Sequence, residues 1–321
     1  MGSKFTSMFA IQIEAMIKLK VSLGYSMKSY SALVDFDKYC VKEHPNEGRL
    51  TKELVSEWGT LKSTESANGL KRRLTTIREF GKYLNRIGVE AYVVPTEIIG
   101  KQEQYYPCIF TDSEIMAFFK AADSLPHETK DPMKEYTVPT LFRVTYSCGL
   151  RPQESYNIKR GDVNFNKNSI LIRDAKRHRD RVIFITPDVA DLCRRYDLVV
   201  DGVLPNREYF FHIPKDHKYK IHWIDSVFTE CVNTAGISST NGKKARVYNL
   251  RHNYATSIMH QWLDEGKDIM SLIPYLSAYM GHVSISSSAY YIHLLPERLL
   301  NNSGFDWNRF GDLIPEVNLE Q

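Results

Sequence analysis

Residues 95–107 carry no sustained apolar period and are bracketed by Pro95 and Pro107. Proline removes a backbone donor and fixes φ, so neither a helix nor a central strand runs through such a stretch. The chain of 321 residues must therefore fold around this break rather than across it. We read residues 1–94 as one domain, 95–107 as a linker and 108–321 as a second domain. Each flanking segment is long enough to bury a core of its own.

The first segment reads as helices. Phe9, Ile13, Met16, Ile17 and Leu23 recur at helical spacing. Gly24-Tyr25-Ser26 breaks that run, and Ser26 is placed to cap a second helix with Tyr30, Leu33, Val34 and Tyr39 on its apolar face. The turn residues His44–Gly48 follow. A third helix is expected from Thr51 to Leu61. A fourth opens near Ser66, with Leu70, Leu74, Ile77, Phe80, Leu84 and Ile87 as its stripe. Lys71, Arg72, Arg78, Lys82 and Arg86 fall off that stripe. Such a face suits phosphates as well as it suits water.

The second segment is mixed. Thr111-Asp112-Ser113-Glu114 has the form of a capping box, in which a hydroxyl and a carboxylate exchange bonds with the first free backbone amides of a helix. Pro139–Cys148 reads as helix. Ser169–Arg173 and Val182–Ile185 read as strands, with the charged run Lys176–Arg181 as their turn, and further helices extend to Leu300. The expected class is mostly α with a small antiparallel β-sheet.

Bulk properties narrow the function only by exclusion. A net charge of +4 and a pI of 8.6 permit a polyanionic partner without demanding one. The five cysteines are single and widely spaced, with no CxxC, which suits a reduced cytosol and excludes a zinc ribbon. No apolar run reaches the roughly 20 residues of a membrane span. There is no HExxH and no carboxylate cluster at metal-ligand spacing, so neither metal nor cofactor is expected. A cytoplasmic protein without membrane contact is the expectation.

Four places stand out, in a fixed order. They are Cys148-Gly-Leu-Arg151-Pro-Gln-Glu154, the basic turn holding Lys176, Tyr248-Asn-Leu-Arg251-His-Asn-Tyr-Ala-Thr256, and Met280-Gly-His282 with Tyr291 nine positions beyond. Each alone has an ordinary alternative. Arg151 is spaced to pair with Glu154, Lys176 sits in a run that suits a solvated turn, and His282, Tyr290 and Tyr291 would serve equally in a core.

Taken in order, the four resemble the tyrosine recombinase family, which includes phage integrases, chromosome-dimer resolvases and transposon integrases. The likeness spans essentially the whole chain. The N-terminal helices look like that family's core-binding domain, and the segment from 108 looks like its mixed α+β catalytic domain. The resemblance implies catalytic roles for Arg151, Lys176, Tyr248, Arg251 and His282, with Tyr291 as the nucleophile and Tyr290 as its rival. It implies DNA contacts for Lys71, Arg72, Arg78, Lys82, Arg177 and Arg179. It also implies double-stranded DNA as partner, a homo-oligomer on DNA, expected to be a tetramer, and a C-terminal tail from about residue 298 exchanged between copies. Two departures stand out. Tyr248 occupies the place where the family usually has histidine, and the stretch from Arg251 to His282, containing Pro274–Ser277, is long.

The residue types suit the chemistry. Two guanidiniums bind the non-bridging oxygens of a phosphodiester and stay protonated at any working pH. A tyrosine that attacks phosphorus splits one difficult displacement into two. A lysine delivers the proton that the departing 5′ oxygen needs. The expected activity is site-specific cleavage and rejoining through a 3′-phosphotyrosine, serving integration, excision or transposition of a mobile element. Two alternatives are a type IB topoisomerase-like relaxing enzyme and an inactive DNA-binding accessory protein.

Overall fold

The computed structural model describes residues 5–99, 107–129, 131–175, 179–212, 219–238 and 244–282, together with 284, 288 and 291. The chain divides into two compact units, Met1–Tyr105 and Tyr106–Gln321.

The first unit is helical, with α1 at Ala10–Ser22, α2 at Ser31–Glu43, α3 at Lys52–Trp58, α4 at Ala67–Arg86 and a single turn, α5, at Thr96–Ile99. Its core is aromatic. Phe9, Phe36 and Phe80 meet at centroid distances of 5.7–6.4 Å, and Trp58 stands edge-on to Phe36 at 5.5 Å. The caps are local. Thr51 accepts from Leu54 N and Ser66 from Gly69 N, each satisfying an otherwise orphaned donor of the first turn. A 3₁₀ turn at Met27–Tyr30, in place of a cap at Ser26, leads into α2. α3 stops at Trp58, short of the expected Leu61, which is exposed. Leu23 and Ile87, assigned to apolar faces, lie outside their helices and are also exposed.

Arg73 organises the α3–α4 corner. It is 6 % exposed and stands over the Trp58 ring at 4.6 Å. Its Nε and Nη2 donate to the two oxygens of Glu65, Nη1 donates to the Trp58 carbonyl, and Nη2 also reaches the Thr60 carbonyl at 3.1 Å. Each of the three guanidinium nitrogens thus finds an acceptor within its own corner.

The second unit contains α6 (Asp112–Asp123), α7 (Lys134–Ser147), α8 (Pro152–Tyr156), β1 (Val163–Asn164), β2 (Ser169–Ala175), β3 (Arg179–Phe184), α9 (Pro187–Asp201), α10 (Ile221–Thr234), α11 (Tyr248–Asp264) and α12 (Ile269–Met280). The capping box of α6 forms as expected, with Glu114 N donating to Thr111 Oγ1 and Thr111 N to Glu114 Oε2. α7 runs through the centre of the unit, packed on α6, α9 and α11. It begins five residues before Pro139, so this proline lies inside the helix rather than at its start. Its missing N–H removes one ladder bond, a loss that the packing of Val138, Leu141 and Phe142 against the core outweighs.

The three strands form an antiparallel sheet in the order β1-β2-β3. Ile170 faces Ile183 and Ile172 faces Arg181 across β2 and β3. The alternation is clean on β3: Ile183 is buried, whereas Val182 and Phe184 are exposed. Side-chain amides then join distant segments. Asn253 donates to the Phe110 carbonyl and accepts from its N–H, and Asn249 donates to the Cys108 carbonyl, so α11 is fixed to the segment that enters α6. Among the described residues no helix is long and apolar enough to cross a membrane.

Candidate active site

Glu154 is the organising charge. It occupies the third position of α8, where its carboxylate accepts from the backbone N–H of Arg151 at 3.0 Å. It is 7 % exposed, and three arginines surround it. Arg151 Nη1 donates to Oε1 at 2.6 Å, Arg181 makes a bidentate pair at 2.9 and 2.8 Å, and Arg251 Nη1 lies 3.8 Å from Oε2. Burial pushes this carboxyl up, but the bonds and charges of Arg181 and Arg151 outweigh it and bring the pKa down to about 2.

The same three arginines converge on the end of α12. Arg181 Nε donates to the Tyr279 carbonyl at 3.0 Å, Arg251 Nη2 to Met280 at 2.8 Å and Arg151 Nη2 to Gly281 at 2.6 Å. These are last-turn carbonyls with no partner inside the helix, at the negative end of its dipole. Gly281 closes the helix at φ 65°, and a Cβ there would stand 2.8 Å from Arg181 Nη1. Glycine satisfies both the left-handed conformation and the close approach.

Arg251 is 0 % exposed. Its Nη1 also donates to the Gly149 carbonyl at 2.7 Å, while its Nε has no hydrogen-bond partner among the described residues. Burial depresses its pKa.

Two imidazoles and two phenols complete the site. His282 directs Nδ1 to Ser288 Oγ at 2.6 Å. Burial, then the charges of Arg251, Arg151 and Arg181, push its pKa down to about 3. Tyr291 is 2 % exposed and lies between two histidines, with its ring 6.1 Å from that of His282 and nearly parallel to it, and 5.5 Å from that of His252. Tyr248 opens α11, half-exposed, with its ring 5.0 Å from His252. A tyrosine therefore sits with guanidiniums and neutral imidazoles around it, an arrangement suited to receiving a phosphate beside a nucleophile.

The structure brings together Arg151, Tyr248, Arg251, His282 and Tyr291. Lys176, Arg177, Tyr290 and the tail from residue 298 lie outside the described residues, and Arg179 opens β3. Lys71, Arg72, Arg78 and Lys82 lie on α4 of the first unit. Arg72 is exposed, Lys82 pairs with Glu79 at 3.1 Å, and Arg78 donates to the Val94 carbonyl, which commits that guanidinium to its own unit.

Sequence reasoning treated Glu154 only as a possible pair for Arg151, and gave no role to Arg181, His252 or Ser288. Arg181 did carry a signal. It shares the inward register of Ile183 on β3, and a charge at an inward position of an alternating strand needs a buried partner. The pairing of Arg151 with Glu154 proves to be no alternative to a site, since the same carboxylate gathers all three arginines.

Comparison with known proteins agrees with this geometry. The Phage integrase family model matches residues 109–298. "Putative integrase/recombinase y4rE" of Sinorhizobium fredii is 24 % identical over 292 residues, 90 % of this chain and 92 % of that protein. "Tyrosine recombinase XerC" of Staphylococcus aureus is 24 % identical over 297 residues, 88 % of this chain and 91 % of that one. Among solved structures, XerH site-specific recombinase bound to a palindromic difH substrate superposes with a TM-score of 0.64 at 17 % identity, covering 86 % of this chain and 78 % of that one. The chain belongs to the phage integrase family, the tyrosine recombinases, enzymes that transfer DNA strands.

Proposed function

We propose that this chain cuts and rejoins double-stranded DNA at a defined site, through a 3′-phosphotyrosine at Tyr291, in the service of a mobile element. The observation that carries the reading is the placement of Tyr291 against His282 in the neighbourhood of Arg151 and Arg251. Arg151 and Arg251 neutralise the non-bridging oxygens as charge builds on the pentacoordinate phosphorus. A preorganised donor of this kind contributes on the order of 10²–10³ in rate. Glu154 holds both guanidiniums in place, and His282, fixed by Ser288, hydrogen-bonds the phosphate. Tyr248 adds a phenolic donor at the mouth of α11. Lys176 is assigned the proton for the departing 5′ oxygen. The phosphotyrosine conserves the energy of the broken bond, so rejoining needs no nucleotide.

The structural relatives include a Tn1549 transposon integrase in complex with transposon end DNA and a lambda integrase tetramer bound to a Holliday junction. By analogy, four copies of this chain act together, with the segment from residue 298 docking on a neighbour. Lys71, Arg72, Lys82, Arg177 and Arg179 are assigned to the phosphate backbone, positioning the duplex rather than reading its bases.

The test uses nicked duplexes tiled across the DNA flanking the gene, which trap a covalent adduct. The parent chain yields a protein–DNA adduct on one of them and Tyr291→Phe yields none. An adduct that survives in Tyr291→Phe and is lost in Tyr290→Phe overturns the assignment. Supercoil relaxation without strand exchange between two sites would instead mark a topoisomerase-like enzyme.

A further inference from the structure

His252 is the one part of this site to which neither the motif order nor the reaction above gives work. It is 8 % exposed, and its Nδ1 is buried with no hydrogen-bond partner among the described residues. A polar ring atom buried without a partner is costly, and natural structures keep few of them. Its surroundings explain how it came to be there but not why it stays polar. The ring lies between two phenols, 5.0 Å from Tyr248 and 5.5 Å from Tyr291, one residue along α11 from Arg251. A phenylalanine would fill the same space without the cost.

Two imidazoles thus flank Tyr291, and they differ in commitment. His282 is anchored through Nδ1 to Ser288 at 2.6 Å, which fixes its ring. No side-chain hydrogen bond of His252 is found among the described residues. His252 can therefore gain a proton or a partner without breaking a bond it already has, whereas His282 keeps the orientation of a fixed donor or acceptor.

We propose that His252 is a further catalytic residue, the base that accepts the phenolic proton of Tyr291 as its oxygen attacks phosphorus. This rests on the reading of Tyr291 as nucleophile. In the cleavage step the O–H bond of Tyr291 breaks, its oxygen bonds to phosphorus, the bond from phosphorus to the 5′ oxygen breaks, and the proton passes to His252. The departing 5′ oxygen takes a separate proton from the general acid of the reaction. Rejoining reverses each transfer, and His252 returns the proton to the phenol. Among the described residues, the charged and titratable groups that face His252 are Arg251, Tyr248 and Tyr291. Burial first, and then the charge of Arg251, bring its pKa down to about 4, so the imidazole is neutral and its lone pair free near neutral pH. A phosphate anion beside Arg251 opposes the second influence and makes the ring a stronger base when substrate is bound.

The experiment uses the full chain and the nicked duplex that yields the Tyr291 adduct, together with the same duplex carrying sulfur in place of the bridging 5′ oxygen. Sulfur leaves without a proton, so a defect in the general acid is rescued and a defect in the base is not. His252→Phe, which keeps the ring shape, should lower single-turnover adduct formation at least about 100-fold on both duplexes, as expected for loss of a general base. His252→Gly should behave likewise and regain rate with added imidazole in proportion to the free-base fraction. Gel-shift binding by each variant, compared with the parent, separates chemistry from folding. A parent-like rate for His252→Phe overturns the proposal, and so does rescue by the sulfur duplex. If His252→Phe fails to bind DNA, His252→Gly with imidazole decides alone, and no rescue overturns the proposal. An adduct persisting in Tyr291→Phe overturns the reading beneath it instead, a different outcome in a different variant.

Discussion

Arg73 in the first unit and Arg251 in the second are both buried guanidiniums, and they are served differently. Arg73 gives Nε, Nη1 and Nη2 to a carboxylate and two carbonyls, with an indole beneath it. Arg251 has two carbonyls, a carboxylate only at 3.8 Å and an Nε with no acceptor among the described residues. The first charge is complete within the fold. The second retains capacity for an oxygen that the described residues do not supply. Burial alone does not distinguish a structural arginine from a functional one.

The largest effect that separates them is on chemistry. Arg251→Gln should slow adduct formation by on the order of 10³, since it removes a charged donor from the developing phosphorane. Arg73→Ala should leave the single-turnover rate at saturating protein unchanged. Equal rate losses in the two variants would break the distinction.

The next effect is on stability and pH. Glu154 has a folded pKa of about 2 against roughly 4.3 for an unfolded glutamate. Its folded pKa is depressed, so its contribution is present above the unfolded value and lost as pH falls towards 2. Linkage puts that contribution at about 3 kcal/mol. Glu154→Gln should lower stability near neutral pH by about that much, and flatten the acid limb of a denaturation series between roughly pH 4.5 and 2. An unchanged acid limb would show that the arginines do not depend on this carboxylate.

Smaller again is the corner in the first unit. Arg73→Ala strands Glu65, whose side chain is 14 % exposed, and should destabilise that unit by about 2–3 kcal/mol in urea melts. Replacing both by apolar residues should recover much of the loss. The smallest is Thr111→Ala, which deletes the α6 cap and should cost about 1 kcal/mol without altering cleavage.

What was legible in the chain was mostly local. The capping box at Thr111 depends on a neighbour three residues away, and the β2–β3 hairpin on alternation over a few positions, so short windows contain their causes. The motif order names Arg151, Arg251, His282 and Tyr291, which the fold brings together. Non-local causes were lost. Pro139 inside α7 is tolerated because of what packs around it, Arg73 is buried by a corner made of two other segments, and Arg181 meets Glu154 across 27 positions of chain. Tyr248 stands where the family has histidine, and helical spacing alone sets it beside His252, but only the fold brings that pair to Tyr291.

The three carbonyls that end α12 also restrict how this protein can vary. An α-helix turns about 100° per residue, so inserting or deleting one residue within α12 would present a different set of carbonyls to Arg151, Arg181 and Arg251. The helix is keyed to the site like a cam to its followers. Length differences between Arg251 and His282 must therefore be absorbed upstream, around Glu265–Asp268, where the chain turns between α11 and α12 and Gly266 adopts φ 68°. The long stretch noted between the two motifs ends in a helix that presents these three carbonyls to the arginines.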